Sequence, residues 1–126
     1  MPSIYPRLAY RDEVAALKFL TRAFGLRERR EQRLESPTGM LAWLELGDGA
    51  VMICRAGPGH ELSSPLETGK RTSLVIVEVD AVDAIYARAV AAGARIEMPL
   101  ADQPFGRRFE ALDPEGQRWS FIQARR

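Results

Sequence analysis

The feature that most limits what this chain can fold into is an internal repeat at half its length. Asp12 to Arg27 reads DEVAALKFLTRAFGLR and Asp80 to Arg95 reads DAVDAIYARAVAAGAR. A shift of 68 residues lays Asp12 on Asp80, Ala16 on Ala84, Leu17 on Ile85, Gly25 on Gly93 and Arg27 on Arg95. A short apolar run precedes each copy and a hairpin-like segment follows it. Such self-similarity signals one supersecondary unit used twice. A unit of about 60 residues is marginal by itself, because too little of its surface is buried on folding. The full 126 residues suffice for one compact domain. The two units are therefore expected to share a core or to pair their sheets.

Periodicity places the elements. Ile4 to Tyr10 alternates, with Ile4, Leu8 and Tyr10 on one side and Tyr5, Arg7 and Ala9 on the other, as in a strand with one face against a helix. Asp12 follows as an N-cap. Apolar positions 16, 17, 20, 23 and 24 keep helical spacing to Phe24, and Gly25 stands where a left-handed residue closes a helix. Leu26 to Leu34 reads as a charged edge strand, Pro37 and Gly39 turn the chain, and Met40 to Leu46 with Ala50 to Arg55 form a hairpin over Gly47-Asp48-Gly49. Ala56 to Arg71 has the glycine, proline and hydroxyl content of a surface loop, read as a linker, with a lid as the other reading. Thr72 to Val79 then repeats the first strand, Ala81 to Ala92 the helix and Gly93 its cap. Arg95 to Met98 is a short strand, and Phe109 to Leu112 pairs with Arg118 to Ala124 around Asp113-Pro114-Glu115-Gly116. The fold class is α+β: two tandem β-α-β-β-β modules, about 1–55 and 72–126 with a linker at 56–71, in one domain.

Composition narrows the function classes. Eighteen Lys and Arg against seventeen Asp and Glu leave a formal charge of +1, so no strong field draws the chain to nucleic acid or an acidic membrane. The Arg27 to Arg33 stretch and the Arg125, Arg126 tail read as solvated surface. A single cysteine excludes an intrachain disulfide and suits a reducing compartment. No apolar run approaches the ~20 residues that cross a bilayer, and the N-terminus lacks a signal-peptide pattern, so a cytoplasmic protein is expected.

Several segments together resemble the vicinal oxygen chelate superfamily, which comprises glyoxalases, bleomycin resistance proteins and extradiol dioxygenases. They are Arg11-Asp12 at a strand end, the helix end Lys18 to Leu26, the hairpin Leu44 to Asp48, Val77 to Asp80, Ala92-Gly93-Ala94 and Asp113-Pro114-Glu115-Gly116. The resemblance covers nearly the whole chain. It implies curved mixed sheets enclosing a cavity, and commonly a homodimer. It also implies a divalent metal held on the first and fourth strands of each module, positions that fall here on Tyr5, Ile53, Leu74 (Ser73 after a slip of one) and Ser120. None of these is a normal ligand for a catalytic divalent metal, which takes imidazole or carboxylate donors at about 2 Å. No metal or other cofactor is therefore expected. The single histidine, His60, reads as an exposed loop imidazole, and Cys54 as a small buried hydrophobe.

Following strand alternation from those positions gives the cavity lining. The ligand-binding residues expected are Tyr5, Arg7, Trp43, Glu45, Ile53, Arg55, Leu74, Ile76, Glu78 and Ser120, with Phe105 at the mouth. Leu8, Met52, Val75, Val77, Trp119 and Phe121 are assigned to the helix side. Glu45 and Glu78 read either as a carboxylate pair for acid–base work or as partners of Arg7 or Arg55. No catalytic residue is assigned. An apolar lining with an indole, a phenol and a few charges suits binding of a small, largely apolar or aromatic organic molecule. The resemblance includes the bleomycin-resistance branch, which sequesters an antibiotic. Two alternatives stay open: a lyase, isomerase or dioxygenase with a displaced metal site, and a dimeric interaction module whose own side chains fill the cavity.

Overall fold

The structure, a computed structural model, describes residues 2–59 and 61–124. His60 and the Arg125, Arg126 tail lie outside the described residues. Among the described residues, nine strands and three helices follow the repeat. Strand β1 (Arg7–Tyr10) leads into α1 (Glu13–Phe24), then β2 (Arg27–Glu28), β3 (Leu34–Ser36), β4 (Gly39–Leu46) and β5 (Gly49–Arg55). A short helix α2 (Pro65–Thr68) interrupts the linker. The second copy runs β6 (Leu74–Glu78), α3 (Val82–Ala91), β7 (Arg95–Gln103), β8 (Gly106–Leu112) and β9 (Arg118–Ala124). Sheet one has the order β1-β5-β4-β2, with β3 also on β4, and sheet two the order β6-β9-β8-β7. In each, the strand before the helix lies parallel to the last strand and the others are antiparallel. The fold is thus α+β, with two mixed sheets that do not close into a barrel.

Local chemistry accounts for most boundaries. Asp12 Oδ1 accepts from Ala15 N at 3.0 Å to open α1, and Gly25 closes it at φ 73°, a conformation costly for a residue with a Cβ. In the β4–β5 hairpin Leu46 pairs Gly49, leaving Gly47-Asp48 as a two-residue turn with Gly47 at φ 58°. Two expectations fail. The continuous strand over Leu26 to Leu34 is broken by a 3-10 turn at Arg30–Gln32, and its two remnants, β2 and β3, both pair with β4. The short strand ending at Met98 instead continues to Gln103, through Pro99. This strand is the sheet edge and its register shifts around the proline, so no ladder bond is demanded of the missing N–H.

The helix-covered faces of both sheets meet in one core. Leu8, Tyr10, Ala42, Leu44, Val51 and Ile53 from sheet one join Phe109, Ala111, Trp119 and Phe121 from sheet two, with α1 and α3 between them. The principal contact between the halves is α1 on α3. Phe24 on α1 reaches into the second half, its ring centroid 5.5 Å from Trp119 and 4.8 Å from Phe121.

A buried polar joint fastens the same seam. Asp113 Oδ2 accepts from Tyr10 Oη at 2.5 Å and Trp119 Nε1 at 3.1 Å, while its Oδ1 accepts from Glu115 N and Gln117 N. Glu115 accepts from Arg11 N and Asp12 N at 2.7 Å and from Ser64 Oγ at 2.6 Å. The Asp113–Gly116 turn of the second module thus holds the end of β1, the start of α1 and the linker. Burial raises the Asp113 carboxyl above the ordinary aspartate value, against the lowering effect of its hydrogen bonds. Burial, then the Asp113 charge, raises the Tyr10 phenol well above its own.

Candidate functional site

Because both helix-covered faces turn into one core, the opposite faces of the two sheets point away from it. These open faces hold most of the expected lining. On sheet one, Trp43 pairs Met52 in register, Met52 pairs Arg7, and Glu45 stands two residues beyond Trp43. Arg29 Nε donates to Glu45 at 2.6 Å, Arg27 also pairs with that carboxylate, and Arg29 Nη1 donates to Tyr5 Oη at 3.2 Å. The Arg29 guanidinium also lies 5.6 Å from the Tyr5 ring centroid. The hydrogen bond from Arg29 holds the Glu45 carboxyl below its ordinary value, and the Tyr5 phenol is lowered by the same arginine. On sheet two, Leu74, Ile76 and Glu78 run along β6, Ser120 pairs Ile76, and Phe105 sits in the β7–β8 turn.

Two expected lining residues are not on an open face. Ile53 pairs with both Leu8 and Ala42 and is fully buried in the shared core. Arg55, of the same parity, reaches α1, where its Nε stands 3.2 Å from Glu13 Oε2. Met52, assigned to the helix side, is on the open face instead. The pairings explain the error. Leu8 corresponds to Val77, Ala42 to Phe109 and Ile53 to Phe121, offsets of 69, 67 and 68. No single offset carries every position across, and a slip of one residue inverts a strand. The counterpart of Ser120 is therefore Met52. Glu45 does not pair with Arg7 or Arg55, since Arg27 and Arg29 hold it.

Sequence reasoning placed Arg118 on this face and Arg108 near its mouth but missed the buried carboxylate between them. Glu110, at mid-β8, pairs Ser120 in register and is buried. Arg108 and Arg118 approach its two carboxylate oxygens, and Arg118 also approaches Glu97. Alternation along Phe109 to Leu112 would have placed Glu110 on the open face. Two concavities involve strand β6. A depression of about 340 Å³ is lined by Arg71, Thr72, Ser73, Leu74 and Arg118. An apolar crevice of about 230 Å³ runs along the seam between the sheets, among Leu26, Leu46, Val51, Val75, Val77 and Glu78.

Comparison with known proteins agrees with this architecture. Residues 5–121 match the family model described as Glyoxalase/Bleomycin resistance protein/Dioxygenase superfamily. The chain belongs to this superfamily. The uncharacterized protein Mb0911c of Mycobacterium bovis is 32% identical over 97% of the chain and 83% of its own length. Among solved structures, TioX from Micromonospora sp. ML1 is similar at a TM-score of 0.80 and 34% identity, covering 99% of this chain and 100% of TioX. TnmS3, an antibiotic binding protein from Streptomyces sp. CB03234, has a TM-score of 0.72 at 16% identity, covering 99% of each chain, which speaks to the fold alone.

The metal site that the superfamily implies does not fit the residues present. With the register corrected, its four positions carry Tyr5, Met52, Leu74 and Ser120. A leucine has no donor, a thioether is soft and weak, and neutral hydroxyls are poor ligands for a catalytic divalent metal. Among the described residues, no group of three or more His, Cys, Asp or Glu is placed to hold a metal ion. Cys54 is fully buried and its thiol is raised by desolvation, the opposite of an activated thiolate. Among the described residues no helix is long and apolar enough to cross a membrane.

Proposed function

We propose that this protein binds a small, largely apolar or aromatic organic molecule, without a metal, in a cavity completed by a second copy of the chain. The observation that carries this reading is the pair of open sheet faces. Ile76 is 67% exposed and Leu74 42% exposed on one, while Trp43, Met52 and Tyr5 line the other. Contiguous apolar surface of this kind marks a site of interaction. In a two-fold dimer the open face of sheet one on one copy meets that of sheet two on its partner, and the same contact repeats on the other side. Each of the two resulting cavities then combines an indole and a phenol from one copy with aliphatic side chains and charges from the other. That is the composition of a pocket for an aromatic ligand. The antibiotic binding protein TnmS3 has the same fold.

Native mass spectrometry of protein purified without chelator tests this directly. The expected spectrum shows two chains, no stoichiometric divalent metal, and an organic adduct when the ligand is retained. A monomer carrying one metal ion per chain would overturn both the dimeric and the metal-free parts of the reading.

A further inference from the structure

The open face of sheet two carries two arginines without a close oxygen acceptor, Arg108 donating through Nη2 to Met98 Sδ at 3.5 Å. Arg108 Nη2 stands 3.4 Å from Glu110 Oε2, and Arg118 Nη1 stands 3.7 Å from Glu110 Oε1. Arg118 Nη2 is 3.3 Å from Glu97, which Arg71 also pairs. These separations exceed the ~2.7–2.9 Å of a charge-assisted hydrogen bond. The Nε of Arg108 and the Nε of Arg118 are buried without a partner, and among the described residues they are the two buried side-chain polar atoms in that state. Other arginines differ. The Nε groups of Arg29, Arg33, Arg88 and Arg107 each donate at 2.6–2.8 Å. A buried donor left unpaired is costly, and a bound group that accepts from it removes that cost.

The surroundings indicate what the partner is. Arg118 forms one wall of the 340 Å³ depression, whose other walls are Arg71, Thr72, Ser73 and Leu74. At that end of the face Arg71 and Arg118 meet Glu97 and Glu110, and Arg118 stands 3.3 Å or more from both carboxylates, too far for a charge-assisted hydrogen bond. Beyond Leu74 the face continues apolar through Ile76, and Phe105 lies over Arg108 with 5.3 Å between guanidinium carbon and ring centroid.

We infer that the ligand of this site is an anionic aromatic molecule whose carboxylate, or an equivalent planar oxyanion, docks on Arg118, with Arg108 a second donor on the far side of Glu110. A planar oxyanion accepts charge-assisted N–H bonds from a guanidinium, and neither Glu97 nor Glu110 comes closer than 3.3 Å to that of Arg118. The apolar body then lies on Leu74, Ile76 and the facing aromatic residues. This inference rests on the binding function proposed above and adds the charge of the ligand.

Isothermal titration of the intact protein with 2-naphthoate and with its neutral isostere 2-naphthamide tests it. The wild type is expected to prefer naphthoate by about tenfold or more, the worth of a hydrogen bond to a charged group. Arg118→Gln should reduce the preference to within about twofold, and Arg118→Lys should keep part of it. Trp43→Ala should weaken both probes alike. Equal binding of the two probes by the wild type overturns the inference while leaving the binding function standing. So does a preference that survives in folded Arg118→Gln. If neither probe binds the wild type, the proposed function falls and the inference with it. The wild-type comparison decides the matter even if Arg118→Gln, which leaves Glu110 short of a partner, fails to fold.

Discussion

Sheet one and sheet two share a strand order, yet Trp43 in the first stands where Glu110 stands in the second, and Met52 where Ser120 stands. On the other side of the same sheets, Leu8 answers Val77, Leu44 answers Ala111 and Ile53 answers Phe121, apolar in every case. The two copies agree in chemistry on the faces that the helices cover and diverge on the faces left open. A helix-covered face requires only apolar volume, and that volume is traded across the core: small Ala42 corresponds to Phe109, and Val51 to Trp119. Phe19 and Phe24 from α1, two rings 5.3 Å apart, add aromatic volume to the shared core. The core is one object built from unequal halves.

Removing a ring that serves both halves is the strongest way to break this comparison. Phe24→Ala is expected to cost about 3–5 kcal/mol, as deletion of a fully buried phenylalanine does. Unfolding in urea should stay a single transition by fluorescence and circular dichroism alike. Two separated transitions would show that each module has its own core.

The polar joint is next in size. Asp113→Asn removes an acceptor shared by Tyr10, Trp119 and two backbone amides, and is expected to cost about 1–3 kcal/mol. The pH dependence has a definite sign. Burial raises the Asp113 carboxyl in the folded protein, so between the ordinary aspartate value near ~4 and its raised native value the folded state binds the extra proton. Stability contributed by wild-type Asp113 therefore grows as pH falls through that window and levels off below it. Paired denaturation curves of wild type and Asp113→Asn should diverge as pH is lowered from neutral. A difference independent of pH would mean that the native carboxyl is not shifted.

How much of this was legible in the sequence depended on the range of the interaction. Asp12, Gly25 and the Gly47-Asp48 turn act on their own neighbours, so the helix, its caps and the hairpin could be read directly. The β7 strand could not, because Pro99 is tolerated only where the sheet happens to have an edge. The open-face residues Tyr5, Leu74 and Ser120 came from the family resemblance and Trp43 from alternation started at those positions, but Ile53 and Arg55 were misplaced because copy offsets vary from 67 to 69. The roles of Glu115 and Ser64 in the seam were illegible for a different reason: their partners are 51 or more residues away. Glu110 carried a signal, its place in an alternating strand, that a turn-centred reading of Asp113–Gly116 passed over.

The helix starts sharpen the comparison at smaller scale. Asp12 caps α1 from within its own segment, and the repeat puts Asp80 in the same place, yet α3 begins after Ala81, whose side chain makes no cap bond. Gln123 on β9 supplies the acceptor instead, its Oε1 taking Val82 N at 3.0 Å. Asp12→Ala and Gln123→Ala should each cost about 1 kcal/mol in thermal or urea unfolding, whereas Asp80→Ala should cost clearly less than Asp12→Ala. Equal losses at Asp12 and Asp80 would mean that the two helices start alike after all.

The smallest effect on folding is expected where the largest effect on assembly lies. Ile76 sits on the open face of an edge strand and is 67% exposed, so Ile76→Ser should change the stability of the single chain by no more than about 0.5 kcal/mol. The same side chain is fully desolvated if a second copy covers it. Losing its apolar surface from such a contact, which is made twice in a two-fold dimer, should weaken association by tenfold or more. Urea unfolding at low protein concentration and sedimentation velocity over a dilution series separate the two quantities. A folding loss as large as a core deletion would place Ile76 in the core after all. Unchanged association would mean that the open faces meet something other than another copy of this chain, so the contrast between covered and open faces would survive while its occupant changed.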